Sequence, residues 1–288
     1  MKQTRQIERS LGSAVRHALP GWLAEFVMFG LKMGWAALFG GLMLGAIILS
    51  KTVDFDALPI HRYDALFLFA LLVQALFLLF RLETLTEAKV ILLFHLTGTA
   101  MEWFKVGAGS WGYPEPALFK VLGVPLFSGF MYASVGSFIA RVIRIFDMSF
   151  APYPRRWVTY LLAALIYVNF FSHHYLPDIR WLLIAGTVVI FGHTWIGFTV
   201  GGRYHMPMPL AALLSSFFLW VAENIGTLTG TWVYAGTAAQ AFASLSKMGS
   251  WYLLLYVAFV TVTVVVRPPA NPGRAANAAL RTVHNGLG

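Results

Sequence analysis

The chain has no cysteine and very little charge. Without cysteine it can form no disulfide, thiolate nucleophile, cysteine-ligated metal site or thiol-linked haem. Charged residues make up 11% of its 288 positions, where a soluble domain carries about 25%. Acidic side chains are scarcest: 12 Asp and Glu stand against 21 Lys and Arg. Apolar residues fill the gap, at 58% of the chain with a mean hydropathy of +0.69. That balance excludes an ordinary soluble domain and indicates a multi-pass protein of the cell (inner, cytoplasmic) membrane. The formal charge of +9 does not imply a nucleic-acid partner. The basic residues gather in loops on one side of the apolar runs, where they set topology and meet anionic lipid heads.

About 20 apolar residues cross a bilayer as a helix. By that measure the sequence predicts an all-α bundle of eight transmembrane helices, at about 28–50, 64–81, 88–107, 122–141, 157–173, 180–200, 208–227 and 249–267. Pro and Gly punctuate the short connections. Lys2, Arg5, Arg9 and Arg16 precede the first run, and Arg267, Arg274 and Arg281 follow the last. The positive-inside rule then places both termini in the cytoplasm. Four segments are expected: a cytoplasmic or interfacial stretch 1–27, two four-helix halves 28–150 and 151–267, and a cytoplasmic tail 268–288.

One pattern occurs twice. Glu102-Trp-Phe-Lys-Val-Gly-Ala-Gly-Ser-Trp-Gly-Tyr113 is echoed by Glu223-Asn-Ile-Gly-Thr-Leu-Thr-Gly-Thr-Trp-Val-Tyr234. In each copy a glutamate ends an apolar run, and Gly109 or Gly230 follows it. A Trp-x-Tyr pair then closes the copy (Trp111 and Tyr113, Trp232 and Tyr234). The copies fall at the ends of the third and seventh expected helices, which implies two parallel four-helix repeats.

An ionisable residue in a membrane helix is costly and marks a candidate site. Glu102 and Glu223 are therefore the candidate acid–base pair. His95, Thr99 and Glu102 share one helical stripe, and Ser216, Trp220, Glu223 and Thr227 share another. On this reading His95 assists catalysis. Trp111, Tyr113, Trp232 and Tyr234 form lids whose ring faces shield a cationic intermediate. Asn224 either orients Glu223 or caps broken backbone. Lys105, one turn from Glu102, is an available ion-pair partner. No metal-ligand spacing is present, and neither metal nor other cofactor is expected. A plainer reading makes the aromatic pairs an interfacial belt. Arg141 and Arg144 read as helix-end topology markers, and His193 as a core histidine of the sixth helix.

The two motifs, together with Pro125-Leu-Phe-Ser-Gly-Phe-Met-Tyr-Ala-Ser-Val-Gly136, resemble the YoaT-like bacterial membrane proteins, domain of unknown function family 817. That resemblance spans nearly the whole chain and implies no activity. The spacing of Glu, Gly, Trp and Tyr is also distantly similar to bacterioruberin-type carotenoid hydratases and small-subunit-type lycopene cyclases. The cyclases' Pro-x-Glu-Glu signature is missing here. Together the residues and resemblances give a leading expectation: an acid–base enzyme acting on a lipophilic, isoprenoid or lipid partner through Glu102 and Glu223. Hydration, isomerisation and hydrolysis all fit that scheme. A proton-coupled transporter and a non-catalytic lipid-binding protein are the alternatives. Oligomeric state leaves no signature.

Overall fold

The computed structural model describes residues 12, 13, 15, 17–237 and 240–271. The basic N-terminal tail up to Arg9, Arg16, and the expected tail beyond Asn271 lie outside the described residues. So do the ends whose cytoplasmic placement the sequence predicts.

The principal helices are α1 (Gly21–Ala36), α2 (Leu38–Ser50), α3 (Arg62–Leu79), α4 (Leu85–Gly107), α5 (Phe127–Ile145), α6 (Arg156–Ser172), α7 (Arg180–Phe191), α8 (Met208–Leu228) and α9 (Leu245–Val266). Short strands join them: β1 (Trp111–Gly112), β2 (Lys120–Val121), β3 (Val124–Pro125), β4 (Ser149–Ala151), β5 (Trp195–Thr199), β6 (Arg203–Pro207) and β7 (Val233–Tyr234). These strands pair antiparallel with one another: β1 with β7, β2 with β3, and β5 between β4 and β6.

The expectation of eight spans in two sets of four is overturned. Among the described residues three helices are long and apolar enough to cross a membrane, namely α3, α8 and α9. A fourth span exists if α1 and α2, bent by 72° at their junction, are taken together. Apolar runs alone misled the count for three physical reasons. Helix α4 carries Glu87, Lys89, Glu102 and Lys105. Helix α5 is rich in Gly and Ser and ends on Arg141 and Arg144. Helices α6 and α7 have only 17 and 12 residues. The sixth expected helix stops at Phe191, because 195–199 joins the β4–β5–β6 sheet instead. His193, expected in that helix's core, is an exposed turn residue.

What remains is an all-α, multi-pass membrane protein with small strand seams at its ends. Its outer surface is apolar. Helix α3 buries Leu66, Ala70, Val73 and Phe77 while exposing Leu68, Leu71, Leu72 and Leu79, as expected of a helix with lipid on one side. The core forms around α9, where Tyr252, Tyr256 and Phe259 pack against Leu162, Phe191 and Ile143. A second cluster joins α2, α3 and α5 through Phe39, Met43, Phe77 and Phe130. Helices α4 and α5 form the most extensive helix pair, because small residues let their backbones approach.

The end of the bundle near the α1–α2 bend is fixed by buried ions. Arg141, expected only to mark topology, is fully buried and lies 3.7 Å from the equally buried Glu83. It also donates to the carbonyl of Trp35, at 2.7 Å, the acceptor left open where the chain breaks between α1 and α2. Gln74 and Ser137 donate to the two oxygens of Glu83. Glu87 closes a capping box with Thr84 and pairs with Arg144 at 2.7 Å.

Candidate functional site

Each of the two Glu-Gly-Trp-Tyr segments is a helix ending followed by a loop that returns to its own glutamate. Helix α4 ends in a Schellman arrangement: the N–H of Ser110 reaches the Lys105 carbonyl, and that of Gly109 reaches Val106. Helix α8 ends the same way, with Thr231 on Gly226 and Gly230 on Thr227. Gly109 and Gly230 have φ of +69° and +66°, a left-handed conformation that side-chain-bearing residues adopt at a cost. This reversal is why a glycine stands seven residues after each glutamate. It turns the loop back, so that the indole two residues later and the phenol four residues later meet the carboxylate.

Trp111 Nε1 and Tyr113 OH both donate to Glu102 Oε2, at 2.8 and 2.9 Å. Trp232 Nε1 and Tyr234 OH both donate to Glu223 Oε1, at 2.7 and 2.6 Å. A donor not foreseen from the sequence, Tyr132 of α5, takes the other oxygen of Glu102 at 2.6 Å. No local pattern announces Tyr132, since α5 brings it in from 30 residues away. The loops then join each other. Trp111 pairs with Tyr234 and Gly112 with Val233 across β1 and β7, and the Trp111 and Tyr234 rings meet edge-on at 5.8 Å.

Neighbouring elements anchor this seam. Arg62, buried at the start of α3, donates to Ser50 Oγ, Thr231 Oγ1 and the Thr229 carbonyl, and pairs with Glu115 at 2.7 Å. Tyr63 OH reaches the Thr231 carbonyl. Asp64 accepts the N–H groups of Leu118 and Phe119, both at 2.8 Å. The Trp232 indole rests on the bare backbone of Gly226, where a Cβ would overlap it.

Behind the seam lies a cavity of about 760 Å³ lined by both glutamates and by Trp111, Tyr113, Tyr132, Trp232 and Tyr234. Met33, Leu44, Phe138, Ile166, Leu219 and Leu253 line its apolar part. Lys105, Ser110, His174, Arg180 and Lys247 line its polar end. The two carboxylates are within electrostatic range of each other.

Other expected site residues lie elsewhere. His95 does not line the cavity. Among the described residues its Nδ1 and the Thr99 hydroxyl, both buried, have no hydrogen-bond partner, and they lie beside Gly129 of α5. Ser216 and Thr227 bond to carbonyls of their own helix, and Trp220 to the carbonyl of Ala243. Asn224 bridges the Trp220 carbonyl and the Ala243 N–H. It holds backbone and makes no hydrogen bond to Glu223. Lys105 turns away from Glu102 to the Phe170 carbonyl at 2.6 Å and His174 Nε2 at 3.0 Å. Among the described residues no group of three or more His, Cys, Asp or Glu is placed to hold a metal ion.

The α6–α7 connection closes the polar end. His174 also meets Ser110 Oγ at 3.2 Å. Desolvation, then the Lys105 charge and His173, push the His174 proton affinity below its ordinary value. Desolvation and Lys105 push His173 the same way. Desolvation works to raise Asp178, but hydrogen bonds from Asn169 and Arg180 outweigh it and hold that carboxyl below its usual range.

The model of "Protein of unknown function (DUF817)" matches residues 25–259. The chain belongs to this family. A Bacillus subtilis (strain 168) protein described as "Uncharacterized protein YoaT" is 40% identical over 242 residues, which cover 83% of this chain and 91% of that one. Among solved structures, a mycobacterial Insig homolog, MvINS from Mycobacterium vanbaalenii, is 12% identical with a TM-score of 0.47. That match covers 65% of this DUF817 chain and 96% of MvINS. A cross-linked MvINS trimer gives 13% identity and a TM-score of 0.46, covering 64% and 95%. A likeness at that level carries no inference about this chain. The resemblance to carotenoid hydratases and lycopene cyclases finds no support in these matches.

The acid–base enzyme expected from the sequence does not stand. An indole N–H can only donate, so Glu102 Oε2 and Glu223 Oε1 must accept. Each of those oxygens already takes a phenol as well, and Tyr132 fills the other oxygen of Glu102. Carboxylates bonded in this way hold loops to helices: Glu102 accepts on both oxygens and Glu223 on Oε1. The indoles and phenols meet the carboxylates through their polar atoms. The face of Tyr234 is covered by Lys247, 3.7 Å from the ring centre.

Proposed function

We propose that this membrane protein binds a lipophilic molecule in the 760 Å³ cavity without transforming it. The observation that carries this reading is an apolar cavity whose two lining carboxylates are bonded to their own aromatic loops. Its volume is in the range of sites that enclose one small ligand, about 300–1,000 Å³. Its apolar part would take an isoprenoid or an acyl chain alike. The two segments 28–150 and 151–267 each supply one Glu-Trp-Tyr clasp, and we read the repeat as the means by which two loops seal one chamber. A proton-coupled carrier would need carboxylates free to load and release protons, and the donors on Glu102 and on Glu223 Oε1 oppose that.

Cavity filling tests this reading. Gly34 and Gly41 line the cavity, and a Cβ at either meets nothing within 4 Å. Gly34→Leu/Gly41→Leu therefore should fold and occupy the apolar part. Solvent extracts of the purified wild type should contain about one lipophile per chain, chemically identical to its membrane pool, and the double variant should lose it. A wild type that carries no stoichiometric lipophile, or a filled variant that retains it, would refute the proposal.

A further inference from the structure

We infer that the ligand is an amphiphile with an anionic head, and that Lys105 and Lys247 receive the head. This rests on the lipophile-binding reading and narrows it to a chemical class. Lys105 is 2% exposed, and a buried ammonium demands compensation. Its hydrogen-bonding partners are neutral: the Phe170 carbonyl and His174 Nε2. The Phe170 ring, 4.0 Å away, is neutral as well. Lys247, on the first turn of α9, stacks on Tyr234. Among the described residues neither lysine has a carboxylate oxygen within 4 Å.

Arg180 lies in the same lining, within electrostatic range of both lysines, and its own counter-ion is Asp178. Glu223 is within electrostatic range of Lys247 yet spends its Oε1 on Trp232 and Tyr234. Glu102 is likewise committed to its aromatics. Two ammonium groups thus share the polar end of a cavity whose remaining lining includes the two glutamates with their aromatic donors and an apolar part of Met, Leu, Ile and Phe. A carboxylate or phosphate there gains charge-assisted hydrogen bonds, and its chain continues along the apolar wall. Ser110, Ser246 and Ser250 in the same lining supply further hydroxyl donors.

The experiment is equilibrium binding to the full chain in phosphatidylcholine nanodiscs. Three radiolabelled probes share an 18-carbon chain: oleate, oleoyl lysophosphatidate and oleyl alcohol. Wild type should bind one or both anions saturably and at least tenfold more tightly than the alcohol. Preference between the two anions identifies a carboxylate or a phosphate head. In Lys105→Gln/Lys247→Gln the anion-to-alcohol affinity ratio should fall to near one. If the buried Lys105 substitution prevents folding, Lys247→Gln alone should lower the ratio at least threefold. An alcohol that binds as well as the anions, or a ratio that survives the lysine substitutions, overturns the anionic-head inference and leaves lipophile binding intact. No saturable binding of any probe removes both.

Discussion

Replacing either clasped glutamate by glutamine separates a structural clasp from a catalytic carboxylate. Glu102 accepts three hydrogen bonds and Glu223 two. Hydrogen bonds to charged groups contribute about 1.5–3 kcal/mol and neutral ones about 0.5–1.5. Neutralising the acceptor should therefore cost about 1 kcal/mol per bond. Glu223→Gln can keep its amide oxygen toward Trp232 and Tyr234, both of which use the same carboxylate oxygen, and should lose about 2 kcal/mol. Glu102→Gln must turn an NH₂ either toward Trp111, which cannot accept, or toward Tyr132, which must reverse its hydroxyl. The expected loss is about 3 kcal/mol or more. Thermal unfolding in nanodiscs at matched scan rate, read by size-exclusion and tryptophan fluorescence, should rank wild type above Glu223→Gln above Glu102→Gln. A cycle of Glu102→Gln with Trp111→Phe should show a coupling of about 1–2 kcal/mol. Active-site carboxylates are often kept at a cost to stability. If both glutamine variants melt at or above the wild type, the clasp argument is wrong.

Three further outcomes follow from the same geometry. Gly226→Ala should be more damaging than Gly230→Ala: the former displaces the Trp232 indole, while the latter costs about 1–2 kcal/mol of left-handed strain. Unfolding midpoints and a shift in tryptophan emission confined to Gly226→Ala would show this. Breaking the buried ion pair with Arg141→Met should cost about 3–5 kcal/mol, and adding Glu83→Met to it should recover part of that loss, as measured by the yield of monodisperse protein. Acid should weaken the polar end. His173 and His174 bind protons less readily in the folded chain than their ordinary value of 6.5 implies, so the unfolded chain takes up more protons as pH falls through that value and stability declines. Asp178, held below its usual 3.8, contributes stability that is lost only at still lower pH. Melting compared at about pH 7.5 and about pH 5.5 should fall for wild type and flatten in His173→Gln/His174→Gln; an equal fall in both would contradict it.

Much of the site was legible because its units are local. Glu102, Gly109, Trp111 and Tyr113 are one short segment, as are Glu223, Gly230, Trp232 and Tyr234, and their matched spacing singled out both clasps. Spacing does not tell whether an indole offers its face or its N–H, and it is the N–H that meets the carboxylate. His95 was assigned from helical phase and Asn224 from its place beside Glu223, and neither phase nor adjacency says which neighbour a side chain meets. Tyr132, Arg62 and the lysine pair lay beyond reach because their partners come from distant segments. The span count failed because hydropathy ignores where an apolar run is interrupted by charge, by Gly and Ser, or by entry into a strand.

Composition by itself determined that this chain lives in a membrane, and the DUF817 motifs determined its family. Both follow from local chemistry: apolar content fixes the solvent, and helix-ending glycines fix the returning loops. Only the tertiary structure decided that the two loops pair across β1 and β7, that the glutamates are bound by their aromatics, and that Lys105 and Lys247 share one chamber. Those facts depend on which helices pack together, and packing is a property of the whole chain folded on itself.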